Sequence, residues 1–479
     1  CPNGGIFKMT DGGKTWRKLA KGLPEGPTGK IGLAIARSNP KVVMAHIEHG
    51  FQPAPTTPDY KDMTKLGAGL YRSEDGGETW QFMNRYLSRP FYYMHIAISP
   101  LDDKKIYSYT IRFQTSSDGG RTLQAANGGG HCWHAMWLDP HNKNRFWVGS
   151  DGGLTLTHDG GQNYLRFENL NVTQYYIVGA DMRDPYWVCG GLQDAGSSCG
   201  PSQTRAQAIY TSDWVNASGG DGYHAQIDPT DWRWVYTESQ PGTSGGNLGR
   251  MNIETRERVL IRPQKGQNIS NYDQYVTPEI EKAQFERNWG RPDPPPQGGG
   301  PGGGGPGGGG GPRMGAFRWN WSSPFIISPH NPRTLYFGAN HLFRTVDQGN
   351  TWTIISPDLS KNEAEKTVRK SGGLTPDEDP GGGAEYHATI ITIAESVLEP
   401  GNIWVGTDDG NVQVTRDGGK NWQNVAANIP GLPKPDLWVS RVEASHHARG
   451  TAYVSVDGHR SSYFQPWVFR TTDYGRTWT

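Results

Sequence analysis

MTDGGKTW (9–16) and SEDGGETW (73–80) are two copies of one eight-residue pattern, and it recurs along the chain as SSDGGRTL (116–123), THDGGQNY (157–164), TVDQGNTW (345–352), TRDGGKNW (415–422) and TTDYGRTW (471–478). An Asp followed by two glycines and a Thr or Asn describes a tight turn. The carboxylate accepts nearby backbone N–H groups and glycine supplies the left-handed backbone. The closing Trp then has a large apolar face to bury. Asp11, Asp75, Asp118, Asp159, Asp347, Asp417 and Asp473 are therefore read as structural staples, not as catalytic acids.

Working outward from each turn, one grammar repeats. A strand runs into a turn carrying Pro, as in HIAISPLDD, HAMWLDPHN, HAQIDPTDW and FIISPHNPR. A second strand follows (RFWVGS, TLYFGA, NIWVGT), then a third that enters the Asp-Gly-Gly turn and a fourth beyond it. Alternating apolar and polar residues mark these as half-buried antiparallel strands. The long gap between Asp159 and Asp347 holds two further units, around 175–217 and 223–263, and an insertion. With the insertion removed, the period is about 45 residues, that of a four-stranded propeller blade. The expected fold is all-β: β-propellers of four-stranded antiparallel blades, two in number with one partial.

Composition agrees. The 479 residues include 66 Gly, 34 Pro, 18 Trp, 21 Tyr and 14 Phe, with apolar residues at only 34%. Turns and aromatic-filled strands use that mixture; long helices do not. Lys plus Arg and Asp plus Glu are 47 each, so no basic excess points to nucleic acid, and no apolar run is long enough for a transmembrane segment.

The turn pattern resembles the Asp-box, or bacterial neuraminidase repeat, of sialidases, sortilin-like receptors and two-propeller xyloglucanases. Longer stretches narrow the resemblance: RPFYYMHIAISP, HAMWLDPHNKNRFWVGSDGG, CGGLQDAGSSCGPS, GGDGYHAQIDPTD, TIAESVLEPGNIWVGTDDGNVQVTRDGGKNW and SRVEASHHARGTAYVSVDGHR. These are similar to large bacterial sortilin-like repeat proteins, often described as glycosyl hydrolase-like. The resemblance implies a secreted, extracytoplasmic protein of two consecutive propellers, but no substrate and no cofactor. Sialidase chemistry is not implied: the F/Y-R-I-P segment is absent, and IRFQ at 111–114 does not match it.

Three segments are expected: a first propeller at 1–262, a polar and Pro/Gly-rich linker or insertion at 263–316, and blades of a second or closing propeller at 317–479. PDPPPQGGGPGGGGPGGGGGP cannot bury enough apolar surface to offset its ordering entropy. TPEIEKAQFERNW before it reads as one short helix, and further insertions fall at 360–383 and near 49–68. The chain opens at Cys1 within a unit and stops just after Trp478, which reads as a fragment. Cys189 and Cys199 bracket a short turn that a disulfide would close, tilting the compartment towards an oxidising one.

In a propeller the turns between strands three and four lie on one face, and the loops joining strand four to one and strand two to three lie on the other. Candidate ligand-face residues are His131 and His134 (GGGHCWHAMW), His224 (GGDGYH), Tyr386 and His387 (AEYHAT), Asp408 and Asp409 (GTDDGN), and Asp457 and His459 (VDGHR). Should the protein be a glycosidase, Asp151, Asp194 and Asp221 are the candidate catalytic acids, with Trp133, Trp137 and Tyr223 as stacking platforms. Such a pair needs carboxyls about 5–5.5 Å or about 6.5–9.5 Å apart. His131, Cys132 and His134 offer soft and imidazole ligands that Asp151 would approach, but they lack the paired spacing of zinc motifs. No metal is assigned, and the histidines are read as bonded to loop carbonyls. The leading reading is a binding scaffold for an unknown protein, peptide or polysaccharide. A polysaccharide hydrolase and a structural subunit of an extracellular assembly are the alternatives.

Overall fold

The computed structural model describes residues 4–479 apart from 54, 88–89, 91, 168, 171–172, 207, 241–246, 290–316 and 368–386. The Gly-rich part of the linker and most of the 360–383 insertion therefore lie outside the described residues. Among those described, a two-stranded ribbon (Phe7–Lys8 with Arg17–Lys18) precedes eight antiparallel sheets. Seven have four strands in sequence order: blade 1 (28–84), blade 2 (96–125), blade 3 (133–167), blade 4 (178–218), blade 5 (221–260), blade 6 (325–354) and blade 7 (390–424). Blade 8 (438–471) has three strands, and Thr479 exchanges backbone hydrogen bonds with Arg470 where a fourth would begin. The fold is that of a β-propeller, built of meandering blades. Blades 4 and 5 are the two units that lack the Asp-Gly-Gly element. The helix expected before the Gly-rich run is present at Pro278–Trp289. No helix among the described residues is long and apolar enough to cross a membrane.

Two compact units divide the chain. The first holds the ribbon and blades 1–3, and the second, starting at Thr173, holds blades 4–8. Within each unit, the inner strand of one blade packs on its neighbour. Thr28–Ile35 meets Ile96–Ser99, and Ile390–Glu395 meets Trp438–Ala444. Blades 5 and 6, on either side of the Gly-rich stretch, are neighbours in the second unit. The Gln226 side chain donates to Phe325 O (3.1 Å) and accepts from Ile327 N (3.2 Å). Blades 5 and 6 are thus spatial neighbours although residues 263–316 separate them in sequence.

The repeated turns are closed systems. Asp75 Oδ1 accepts the Thr79 N–H (2.9 Å) and the Ser73 hydroxyl (2.8 Å), and Oδ2 accepts the Thr79 hydroxyl (2.6 Å). Ser73 Oγ in turn takes the Gly77 N–H (2.8 Å). Equivalent bonds recur around Asp118, Asp159, Asp347, Asp417 and Asp473. Asp11, with Met9 in place of the Ser or Thr, accepts from Lys14 N and from Thr15 N and Oγ1. The two residues after each Asp adopt left-handed backbone, φ 75° and 93° at Gly76 and Gly77. Gln348 (61°) and Tyr474 (63°) carry that conformation without being glycine.

In three of the turns the closing aromatic residue hydrogen-bonds to the preceding blade. Trp352 is fully buried and donates Nε1–H to Ile261 O (2.6 Å), just beyond the last strand of blade 5. Trp422 does the same to Ile355 O (2.9 Å), and Tyr164 gives its hydroxyl to Asn127 O (2.7 Å). Around Trp352 lie Tyr236, Leu248, Phe317, Trp319, Phe337 and Phe343, all buried, so the core sits between blades.

The other end of each blade is less regular. In blades 1, 3, 5, 7 and 8 the first strand carries a register shift near its start, between Thr28 and Ile31, Trp133 and Ala135, Gly222 and Ala225, Ile390 and Thr392, and Val439 and Arg441. A β-bulge there bends the strand and re-aims the side chains that precede it.

Candidate functional site

In blades 1, 2, 3, 6 and 7 the repeated turn joins the third strand to the fourth, so the loops holding the candidate ligand-face residues lie at the opposite blade ends. Most of them gather into three clusters, one in the first unit and two in the second.

In the first unit, Gly128-Gly129-Gly130 lead from the last strand of blade 2 into blade 3. The loop lies tight on its surroundings: a Cβ on Gly130 would sit 2.4 Å from Ser150 Oγ. Trp133 anchors it, donating N–H to Thr110 O (3.0 Å) and Nε1–H to Gly128 O (3.0 Å). Asp151 N–H donates to Cys132 O (3.2 Å), tying the strand two-to-three turn of blade 3 to the loop. Donor atoms of His131, Cys132 and Asp151 consequently all fall within 4.8 Å of one another. His134 Nε2 lies 2.8 Å from Asp151 Oδ1, so this histidine pairs with a carboxylate and not, as expected, with a loop carbonyl. Its ring packs against Tyr92 (5.6 Å between centroids), Tyr93 (5.2 Å) and His95 (6.2 Å). A cleft of about 550 Å³ adjoins, with His131, Asn127, Thr155, Tyr164 and Arg166 in its wall.

In the second unit, Asp194 and Asp221 meet. Asp194, in the strand two-to-three turn of blade 4, has left-handed backbone (φ 58°) and donates its N–H to Asp221 Oδ1 (2.7 Å). Trp321 Nε1–H donates to Asp221 Oδ2 (3.1 Å). Burial pushes the Asp221 carboxyl up to about 6, and the hydrogen-bonded Asp194 carboxyl adds to that. Tyr223 lies beside them, its phenol pushed up by burial and by the Asp221 charge, with its ring 4.7 Å from that of half-exposed Tyr176. Tyr176 OH donates to Gln193 Oε1 (2.6 Å). His224, next along the strand, faces Phe325 at 6.0 Å and is held down at about 4 by burial, with Arg441 contributing.

The third cluster lies between blades 6 and 7. Asp408 is buried and accepts Thr389 N–H (2.8 Å) and the Thr389 hydroxyl (3.0 Å); burial pushes it up to about 8. His387 Nδ1 is 3.9 Å from Asp408 Oδ2. Asp409 accepts Lys361 N–H (2.7 Å) and the Thr407 hydroxyl (2.6 Å), which makes it a loop brace. Arg318, fully buried, donates to Ala388 O (3.1 Å), Asp358 Oδ2 (2.7 Å) and Ser360 Oγ (2.9 Å). Asp457 and His459 form an exposed pair of their own at 2.6 Å in blade 8. Tyr386 lies outside the described residues.

Two aromatic platforms need correction. Trp133 is only 8% exposed because the bulge after it breaks the alternation that would place it beside Trp137, which is 46% exposed. Tyr223 is 6% exposed and presents no open face for a sugar. Trp321, Tyr176, Gln193 and Arg318 were not singled out from sequence. The dense Arg-Trp-Asn-Trp run at 318–321, directly after a Gly-rich stretch, was the signal available.

No protein-family model matches the chain, and no curated protein matches it. Among solved structures it is similar to a GH74 enzyme from Niastella koreensis at 12% identity and a TM-score of 0.27, over 99% of this chain and 69% of that one. It is also similar to the GH74 xyloglucanase from Xanthomonas campestris at 12% identity and 0.26, over 100% of this chain and 76% of that one. YCF48 from Cyanidioschyzon merolae is similar at 11% identity and 0.27, over 94% of this chain and 97% of that one. At these scores none of the three carries an argument about what this chain binds or converts.

Proposed function

We propose that this chain is an extracytoplasmic recognition scaffold of the sortilin-like, Asp-box kind, whose strand four-to-one and two-to-three loops engage a polysaccharide, peptide or protein. The Asp194–Asp221 pair carries the reading. The two residues are tied together directly: Asp221 accepts the Asp194 backbone N–H through Oδ1 and the Trp321 indole N–H through Oδ2, and the nearby Asp194 carboxyl adds to burial in raising the Asp221 carboxyl. Glycosidase acids are held apart by about 5–5.5 Å or about 6.5–9.5 Å so that a sugar or water fits between them. A closed pair, its Asp221 carboxyl engaged by two N–H donors, beside Trp321 and Tyr176 is suited to hydrogen bonding and stacking on a polar ligand. The Cys189–Cys199 disulfide, linking paired residues of blade 4, supports an oxidising compartment.

The test is titration calorimetry against xyloglucan, mixed-linkage β-glucan and a peptide library, with new reducing ends followed in parallel. Saturable binding to one ligand class, weakened at least tenfold by Tyr176→Ala or Trp321→Ala and without release of reducing ends, is expected. Reducing ends released by the parent but not by Asp194→Asn or Asp221→Asn would make it a hydrolase. Absence of binding to every ligand class would also overturn the proposal.

A further inference from the structure

We infer that His131, Cys132 and Asp151 form a mononuclear site for a divalent transition metal of zinc-like preference, opening on the cleft in the first unit. The donors are of three kinds, an imidazole nitrogen, a thiol sulfur and a carboxylate oxygen, all within 4.8 Å of one another. A tetrahedral ion with metal–nitrogen bonds of about 2.0–2.1 Å and a metal–sulfur bond of about 2.3 Å needs such atoms roughly 3.3–3.6 Å apart. The three atoms, at most 4.8 Å apart, would have to close by no more than roughly 1.2–1.5 Å on binding.

Local structure shows why these residues are together. Cys132 is held at φ 51°, a left-handed conformation that a non-glycine residue adopts at a cost. That conformation sits between two fixed points, the Asp151 N–H bond to Cys132 O and the Trp133 N–H bond to Thr110 O. Strand geometry alone would set successive side chains on opposite faces; the kink lets His131 and Cys132 bring their donor atoms to one place.

His134 supplies the support that ligating groups usually have. It holds one Asp151 oxygen at 2.8 Å, leaving Asp151 a second oxygen for an ion, and its own ring is boxed by Tyr92, Tyr93 and His95. Partners of this sort orient a ligand, and their loss commonly weakens metal binding about 10–100-fold. Three protein donors leave a fourth position for water or a ligand group. The adjoining cleft, about 550 Å³ with His131 in its wall, gives that position access. On binding, the Cys132 S–H bond breaks, the proton passes to solvent and the sulfur–metal bond forms, so apparent affinity rises with pH.

The experiment uses the full chain in a Cys1→Ser background, stripped with chelator, dialysed and titrated with Co²⁺ and with Zn²⁺. One equivalent should bind, and the cobalt form should show a thiolate-to-metal charge-transfer band with the intense visible bands of four-coordination. Cys132→Ser should abolish the charge-transfer band and weaken binding by at least about 100-fold. His131→Gln and Asp151→Asn should each weaken it by at least about tenfold. His134→Gln should weaken it about 10–100-fold while the band survives. Circular dichroism confirms that each variant is folded. Failure to bind one equivalent, or an unchanged spectrum and affinity in folded Cys132→Ser, overturns the assignment.

Discussion

Replacing Trp352 by Ala tests whether the turn aromatics clamp one blade to the next. Trp352 is fully buried among Phe337, Phe343 and Trp319, and its Nε1–H is the donor to Ile261 O of blade 5. Removing a buried indole costs about 3–5 kcal/mol in lost transfer energy and cavity. Leaving the buried Ile261 carbonyl without its donor adds about 1 kcal/mol. Trp352→Phe keeps most of the ring and should cost about 1–3 kcal/mol. Trp16 occupies the same motif position but is 60% exposed, so Trp16→Ala should cost under about 1 kcal/mol. Hydrogen exchange with mass spectrometry reads the effect locally. In Trp352→Ala the amides of Leu335–Gly338 and Leu342–Thr345 should exchange about a thousandfold faster, since each 1.4 kcal/mol is about tenfold. Because the bond crosses blades, Arg258–Leu260 should loosen too. If exchange changes by less than tenfold, or blade 6 loosens while Arg258–Leu260 does not, the clamp argument is wrong.

Asp221 should make stability fall as pH rises from 3.8 to about 6, because the folded carboxyl holds its proton above the unfolded value; Asp221→Asn should flatten that stretch of a urea-midpoint profile. The turn aspartates act in the opposite sense. Asp417 and Asp473, held down at about 2 by the side chains and N–H groups of Asn421 and Thr477, contribute stability above 3.8 that is lost as pH falls towards 2, so Asp417→Asn should blunt acid unfolding. The Cys189→Ala/Cys199→Ala double variant should lose about 2–3 kcal/mol, the loop-closure value for so short a span, by urea denaturation. Arg85 donates to Tyr60 O (2.8 Å), Asp62 O (2.6 Å) and Lys65 O (2.7 Å), so Arg85→Ala should expose the 55–66 segment to limited proteolysis while the strands of blade 1 remain protected.

Features set by neighbours in sequence were readable in advance. The Asp-Gly-Gly turns, the helix at Pro278–Trp289 and the Cys189–Cys199 pairing depend on residues close along the chain. The separation of turn aspartates from loop carboxyls follows from strand order, which the repeat itself dictates. What escaped depends on loops far apart. Asp408 and Asp409 are adjacent and chemically identical, yet one is braced by Lys361 N–H and the other is shut in with Thr389. Arg318 reads as a surface cation until Asp358, Ser360 and Ala388 O surround it. Trp133 was misplaced because a single-residue bulge cannot be seen in a strand pattern whose period is two.

Those first-strand bulges have an evolutionary consequence. A residue inserted or deleted upstream of the shift changes which side chain occupies the loop end, while the pairing downstream, and the outer strands with their stapled corners, keep their register. The chemistry of the loop ends can then vary blade by blade at the entrance of the inner strand, with little penalty to folding, on a frame that stays constant.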